Sequence, residues 1–159
     1  MARSLPRGGA LVYRHFGAAG AADVARRLRA ITRARGVRLL IGQDWAMARR
    51  IGADGVHLPE RLAHRAVALK RAHPGWIVTS AAHSLRAARA SRADAVVMSV
   101  ALPSRSASAG HALGPIRLAQ RLRAAGRPAY ALGGVNKATA RRLLASGAVG
   151  LAAVDGIGT

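Results

Sequence analysis

Seven short, largely apolar runs alternate with segments of helical spacing, and this alternation restricts the fold of the chain more than any other feature. Runs of four to six such residues are too short for helices and are typical of buried strands. Strands that alternate with amphipathic helices pair most economically in parallel, through right-handed crossovers. The predicted strands cover residues 11–14, 38–41, 55–58, 76–80, 95–100, 129–132 and 149–154, and the predicted helices cover 19–35, 45–51, 62–73, 85–90, 116–125 and 136–146.

One strand and one helix together take only about 20–25 residues, which favours a barrel over a doubly wound sheet. We therefore predict an α/β fold of the (β/α)8 TIM-barrel class, forming a single domain over residues 1–159. A closed barrel of this class has eight strands. The first strand and most of the last helix are therefore expected to be lacking. An open doubly wound sheet of parallel strands is the alternative.

A double glycine follows the predicted strand at 129–132. Gly133 and Gly134 allow positive φ and a close approach of the backbone to a ligand. Asn136 then suits the N-cap of a helix whose apolar positions share one face, namely Ala140, Leu143 and Leu144. A strand, two glycines and a helix start present backbone N–H groups to an anion, most often a phosphate. The alternative is a tight turn that binds no ligand.

The composition is that of a globular α/β protein and does not indicate disorder. Hydrophobic residues make up 51% of the chain and aromatic residues only 3%. With no cysteine, the chain has neither disulfides nor thiolate metal sites. The apolar runs are too short to span a bilayer, and the N-terminus lacks a signal-peptide pattern. We therefore expect a cytoplasmic protein without a membrane partner.

The charge is strongly basic, with 26 Lys and Arg residues against 6 Asp and Glu residues and a formal net charge of +20. Such a charge attracts polyanions. The basic residues are nearly all arginines, however, and they are spread along predicted helices instead of forming one patch. No recognition motif or series of aromatic residues for base stacking accompanies them. We expect no specific nucleic-acid partner, and a basic nucleic-acid-associated protein is kept as an alternative.

Four motifs in a fixed order resemble those of the thiamine phosphate synthase family, which includes the related thiazole tautomerases. They are G-A-D-G-V-H-L at 52–58, A-H-S at 82–84, the segment 93–106 with A-D-A-V-V-M-S and P-S-R-S, and Y-A-L-G-G-V at 130–135 followed by S-G-A-V-G-L-A-A-V at 146–154. The resemblance implies a (β/α)8 barrel with its site at the carboxyl ends of the strands. It also implies that the family's first strand lies upstream of Met1.

The family joins two phosphorylated ligands: a hydroxymethylpyrimidine pyrophosphate loses pyrophosphate, and a thiazole phosphate captures the pyrimidine cation. The resemblance therefore implies small phosphorylated thiazole and pyrimidine ligands and a Mg²⁺ ion that bridges the pyrophosphate. The family's two acidic metal positions correspond here to Ala46 and Leu62, which cannot coordinate a cation. The Mg²⁺ ligand positions are thus not retained, and Asp44 and Glu60 are the nearest carboxylates that are candidates to replace them.

On the phosphate side, the resemblance places Gly133 and Gly134 at the thiazole phosphate. Val154 and Asp155 lie in the second arm of the phosphate site, although a carboxylate there repels a phosphate. The family's lysine corresponds to Ala107, and Arg105 is the candidate substitute.

Histidines are the remaining candidates. His83 and Ser84 match a family H-T or H-S step, and the alternative makes Ser84 a helix cap and His83 a strand-end donor. We expect His57 to pack or hydrogen-bond inside the barrel mouth, and a catalytic role is the alternative. Tautomerase activity needs a histidine where this chain has Val100, and His111 in the following loop is the nearest substitute.

The sequence thus predicts a thiamine phosphate synthase-like protein of thiamine biosynthesis with a degraded metal and pyrophosphate site. If it is active, it is a transferase of that type. The first alternative is a weak or inactive relative that binds a thiazole phosphate or a similar small phosphate. A homo-oligomer is a further expectation, because an incomplete barrel exposes strand edges that a second copy can cover.

Overall fold

A computed structural model describes residues 5–104 and 110–154 of the chain, and seven parallel strands form its single sheet. Sequence order and spatial order coincide from the first strand to the seventh. The strands are β1 (Ala10–Tyr13), β2 (Arg38–Gly42), β3 (Gly55–Leu58), β4 (Ile77–Ala82), β5 (Ala95–Ser99), β6 (Ala129–Leu132) and β7 (Gly150–Ala152).

The sequential order distinguishes between the two predicted architectures. A doubly wound sheet reverses its strand order at a switch point, whereas a barrel adds each strand beside the previous one. Every described pair joins consecutive strands, from β1 with β2 to β6 with β7. The alternative of a doubly wound sheet was therefore wrong. Within the described residues β1 and β7 each pair on one side only, so the structure shows a curled, open, TIM-like sheet of seven strands and not a closed barrel.

Helices cover the outer face of the sheet between the strands. They are α1 (Ala21–Ala34), α2 (Trp45–Arg50), α3 (Ala66–Ala72), α4 (Leu85–Ala90) and α5 (Gly114–Ala125), with two 3₁₀ helices at Glu60–Arg65 and Ala140–Ser146. Asp44 caps α2 by accepting a hydrogen bond from the Met47 N–H, and Ser84 caps α4 by accepting one from the Ala87 N–H. Both are short polar side chains of the kind that N-caps prefer.

The predicted helix over 136–146 differs from the structure. Residues 136–139 form a turn in which the Asn136 side chain accepts hydrogen bonds from the Ala138 and Thr139 N–H groups. A 3₁₀ helix then follows at Ala140–Ser146. Its three-residue period places Leu143 and Ser146 on the buried face, while Leu144 is 75% exposed. The prediction that Leu143 and Leu144 share one face was therefore wrong.

Apolar side chains pack in two clusters between the sheet and the helices. One cluster joins β1 to β4 with α1 to α3, and the other joins the end of β4 and β5 to β7 with α4 and α5. Alternate residues of the central strands contribute fully buried side chains: Leu39, Ile41, Val56, Leu58, Val78, Val96 and Met98. Burying one such side chain contributes about 1.5–3 kcal/mol, so both clusters stabilise the sheet that positions the strand ends.

Two aspartates make the same contact at the amino-terminal edge of the sheet. Asp54 precedes β3 and accepts the Leu39 N–H at 2.8 Å, while Asp94 precedes β5 and accepts the Val78 N–H at 2.8 Å. Asp54 also forms an ion pair with Arg29 of α1, and Asp94 forms one with Lys70 of α3. The repeated sequence A-D-x-V at 53–56 and 93–96 encodes both contacts. These carboxylates therefore join strands at the edge opposite the predicted site.

Candidate functional site

The carboxyl ends of all seven strands lie at one edge of the sheet, which we call the strand-end face. Because the strands are parallel, the loops after β1 to β7 meet there. The candidates Gly133 and Gly134 follow β6, Val154 follows β7, and His83 and Ser84 follow β4. Arg105 and Asp155, and the loop position Ala107, lie outside the described residues.

The backbone at Gly133 and Gly134 leaves no room for a side chain. Both residues have positive φ, 103° and 64°. A Cβ on Gly133 would lie 2.7 Å from Val100 Cγ1, and a Cβ on Gly134 would lie 2.3 Å from the Pro103 carbonyl oxygen. The Leu102 N–H donates to the Gly133 carbonyl at 3.0 Å. Glycine is thus required by contact with the loop after β5 as well as by the backbone conformation.

Thr139 fixes the turn after the double glycine. Its hydroxyl donates to the Gly134 carbonyl at 2.7 Å and accepts the Asn136 N–H at 2.9 Å. No hydrogen bond among residues 5–104 and 110–154 uses the N–H groups of Gly134 or Val135. Backbone N–H groups held in this way are suited to bind an anion. We call residues 133–135 the glycine arm.

The ends of β6 and β7 are adjacent, since Leu132 pairs in register with Ala152. Val154 lies two residues beyond Ala152 and is 66% exposed. It therefore stands on the side of the glycine arm where the second half of the phosphate site was predicted.

His83 and Ser84 have different roles in the structure. Glu60 Oε2 accepts the His83 backbone N–H at 2.6 Å and lies 2.9 Å from His83 Nδ1. Ser84 caps α4 by accepting the Ala87 N–H, which is the alternative role predicted for it from the sequence. β5 separates these residues from β6, and no hydrogen bond or ion pair between described residues joins them to the glycine arm. The structure thus places them on one face but in two groups.

Sequence reasoning missed two side-chain pairs at the ends of β1 to β3. His15 Nε2 lies 3.2 Å from Asp44 Oδ2, while His15 Nδ1 accepts the Gly17 N–H at 3.1 Å. Arg61 donates to Gln43 Oε1 at 2.9 Å. A cavity of about 520 Å³ adjoins them, lined by His15, Gly17, Gln43, Asp44, Trp45 and Ala46. Polar residues that follow consecutive parallel strands were the signal that could have indicated these contacts.

His57 lies inside the mouth of the sheet. It pairs in register with Gly42 of β2 and Thr79 of β4, and its Nδ1 is 2.9 Å from Thr79 Oγ1. This confirms the expected hydrogen bond inside the mouth. Burial, and secondarily the nearby Arg14 guanidinium, lower the pKa of His57 from 6.5 to about 4. His57 is therefore neutral at neutral pH and adds no charge to the site. His111 is exposed in the loop before α5.

The family profile of thiamine monophosphate synthase matches residues 8–157. The chain belongs to the thiamine monophosphate synthase family. A thiamine-phosphate synthase from Azoarcus is 37% identical over 140 residues, covering 85% of this chain and 68% of the relative. One from Chromobacterium violaceum is 32% identical over 145 residues, covering 85% of this chain and 70% of the relative.

A relative from Geobacter sulfurreducens is 34% identical over 139 residues, which is 85% of this chain but only 65% of the relative. The chain thus spans about two thirds of the length of such relatives. Among solved structures, the thiamine phosphate pyrophosphorylase from Pyrococcus furiosus superposes with a TM-score of 0.77 at 24% identity, covering 96% of this chain and 75% of that one. The superposition shows a shared fold.

The thiamine monophosphate synthase family implies a Mg²⁺ ion, and the described residues of this chain do not fit one. Ala46 and Leu62 carry no ligand atom. Asp44 caps α2 with Oδ1 and contacts His15 with Oδ2, and Glu60 Oε2 is engaged by His83. No group of three or more metal-binding side chains occurs within residues 5–104 and 110–154. Since Mg²⁺ requires nearly octahedral oxygen ligands, we assign no step to it.

No helix in the part of the chain that the structure describes has the length and apolar character needed to cross a membrane.

Proposed function

We propose that this chain acts in thiamine biosynthesis as a transferase of the thiamine phosphate synthase type. Its ligands are a phosphorylated thiazole and a hydroxymethylpyrimidine pyrophosphate. The family match over residues 8–157 supports the reaction class. The glycine arm is the observation that carries the proposal, because it offers two unused N–H groups at a strand end where no side chain fits.

The reaction transfers the pyrimidine methylene group from oxygen to nitrogen. The carbon–oxygen bond to pyrophosphate breaks, and pyrophosphate leaves with the electron pair. The thiazole nitrogen then attacks the methylene carbon and forms the new carbon–nitrogen bond. Positioning the two reactants at the strand-end face is the main contribution that these residues can make to such a step.

The glycine arm holds the thiazole phosphate in this proposal. The N–H groups of Gly134 and Val135 donate to phosphate oxygens, and Thr139 keeps the turn in place through its hydrogen bond to the Gly134 carbonyl. Val154 closes the β7 side of the phosphate. Asp155 and Arg105 complete the predicted set, with Arg105 neutralising phosphate charge.

His83 faces the second ligand in this proposal. The Nδ1 atom of His83 contacts Glu60, which leaves Nε2 for a contact with the second ligand. Ser84 acts through its cap of α4, which fixes the start of that helix beside the site.

Purified protein given both substrates tests the activity, with thiamine phosphate measured by chromatography in the presence and absence of Mg²⁺. We expect product under at least one of the two conditions, at a rate above that of the Gly134→Asp variant. Binding of the thiazole phosphate without any product would instead identify a binding-only relative. The engagement of Asp44 and Glu60 by other groups favours that second candidate.

The proposal extends to the whole chain as one domain of the (β/α)8 class that works in the cytoplasm. The sequential parallel order of β1 to β7 supports the barrel class. A homo-oligomer in which a second copy covers the edge of β1 or β7 is also part of the proposal.

A further inference from the structure

All five carboxylates in the described residues already have partners within the chain. Asp54 and Asp94 bind backbone N–H groups and helical cations at the opposite edge of the sheet, and Asp23 pairs with Arg26 on the surface of α1. Asp44 and Glu60, at the strand-end face, are engaged by His15 and His83. None of these carboxylates is without a partner, and no group of three or more metal-binding side chains lies among the described residues.

Two arginines at the same face are not neutralised in this way. Arg14 follows β1, and its side chain runs over Gly42, where a Cβ would lie 2.9 Å from Arg14 Cγ. Arg61 follows β3 and donates to the amide oxygen of Gln43. Neither arginine forms an ion pair with a carboxylate in residues 5–104 and 110–154. Because Gly42 and Gln43 are consecutive, both arginines adjoin the end of β2.

The neighbours of Arg14 leave its charge uncompensated. Its guanidinium carbon lies 4.6 Å from the centre of the Phe16 ring, and the nearby His57 is hydrogen-bonded to Thr79. The guanidinium is planar and presents paired N–H groups, so it binds phosphate oxygens in a bidentate way with its full positive charge. A diphosphate needs such positive charge from some source, and here protein groups can supply it.

We propose that the strand-end face binds the diphosphate of its ligand directly on Arg14 and Arg61, without a divalent cation. The inference rests on the proposed function for the identity of the ligand. It differs from what the family implies, because the arginines take the place of the metal. Gly42 is the feature that makes room for Arg14, and Gln43 orients Arg61.

Calorimetric titration with inorganic pyrophosphate tests this inference without any chemistry. One series contains EDTA and the other contains an excess of Mg²⁺. We expect dissociation constants that agree within about threefold. Binding that requires Mg²⁺, or that Mg²⁺ strengthens about tenfold or more, would overturn the proposal.

Arginine variants supply the second arm of the experiment. Arg14→Gln and Arg61→Gln should each weaken pyrophosphate binding in EDTA by about tenfold or more, since each removes a charge-assisted pair of hydrogen bonds. Arg71→Gln is the control, because it removes the same charge from the exposed end of α3 at the opposite edge. If all three variants bind equally, the arginines do not form the site. Arg61 is exposed, so its replacement keeps the test informative even if Arg14→Gln fails to fold.

The outcome is separable from that of the proposed transferase activity. Pyrophosphate binding in EDTA without thiamine phosphate formation would reject the activity and keep this inference. Thiamine phosphate formation together with pyrophosphate binding only in Mg²⁺ would support the activity and reject this inference.

Discussion

Side chains join the loops after β1 to β4, whereas the backbone itself shapes the loop after β6. In the first region His15 contacts Asp44, Arg61 contacts Gln43, and Glu60 contacts His83. In the second region the glycine arm packs against the segment 100–103, with Gly134 so close to the Pro103 carbonyl that no Cβ fits.

The difference predicts that the two regions tolerate residue replacement to different degrees. A pair of exposed side chains can be replaced at a cost of about 1 kcal/mol or less. A glycine held at positive φ against another backbone cannot be replaced without moving both segments. Ala46 and Leu62, to which the family resemblance assigns the metal ligands, belong to the region of replaceable side chains, and the glycine arm belongs to the region of fixed backbone.

Replacing a glycine of the arm gives the largest expected effect. Gly134→Ala should lower the free energy of unfolding by about 4 kcal/mol, because it combines overpacking with an unfavourable φ. Gly126→Ala is the matched control: Gly126 has the same φ of 64°, but a Cβ there meets nothing within 4 Å. The control should lose about 1 kcal/mol in urea unfolding. Equal losses would show that contact with Pro103 does not matter.

Lowering the pH gives the next largest effect, through His57. Its pKa is about 4 in the folded protein and 6.5 in the reference state, so the unfolded chain binds the extra proton between these values. Stability is therefore full above about pH 6.5 and falls by up to about 3 kcal/mol as the pH drops to about 4. Urea unfolding across this range should show a steeper loss for the wild type than for His57→Asn. Parallel curves for the two proteins would contradict the assignment.

The side-chain pair Glu60–His83 gives the smallest effect. Its side chains are 38% and 62% exposed, and solvent screens such a pair. Glu60→Gln should cost less than about 1 kcal/mol in urea unfolding. A loss comparable to that of Gly134→Ala would remove the contrast between the two regions.

Local sequence patterns predicted the strands and their parallel arrangement well. The apolar runs at 55–58 and 129–132 match β3 and β6 residue for residue, and the other strand bounds differ by at most two residues. The sequence predicted these strands because glycine, proline and polar residues flank short apolar runs. The sequence also predicted the turn of the glycine arm, because the backbone conformation of that turn requires glycine.

Local sequence patterns did not predict contacts between residues that are far apart in the sequence. His15 and Asp44 are separated by 28 intervening residues, and only the register of β1 with β2 brings them together. The turn at 136–139 was also missed, because the Thr139 hydroxyl competes with helix formation by bonding to the Gly134 carbonyl. The repeated A-D-x-V signal was present in the sequence, and it encodes the strand contacts of Asp54 and Asp94.

Amide chemical shifts during titration with the thiazole phosphate test the central claim most directly, because they report on each half of the site without any substitution. We predict that the amide signals of Gly134 and Val135 shift and reach saturation at one equivalent of ligand, while those of Gly17 and Gly42 in the other half stay in place. Unmoved Gly134 and Val135 signals at saturating ligand, or shifts confined to Gly17 and Gly42, would contradict the account.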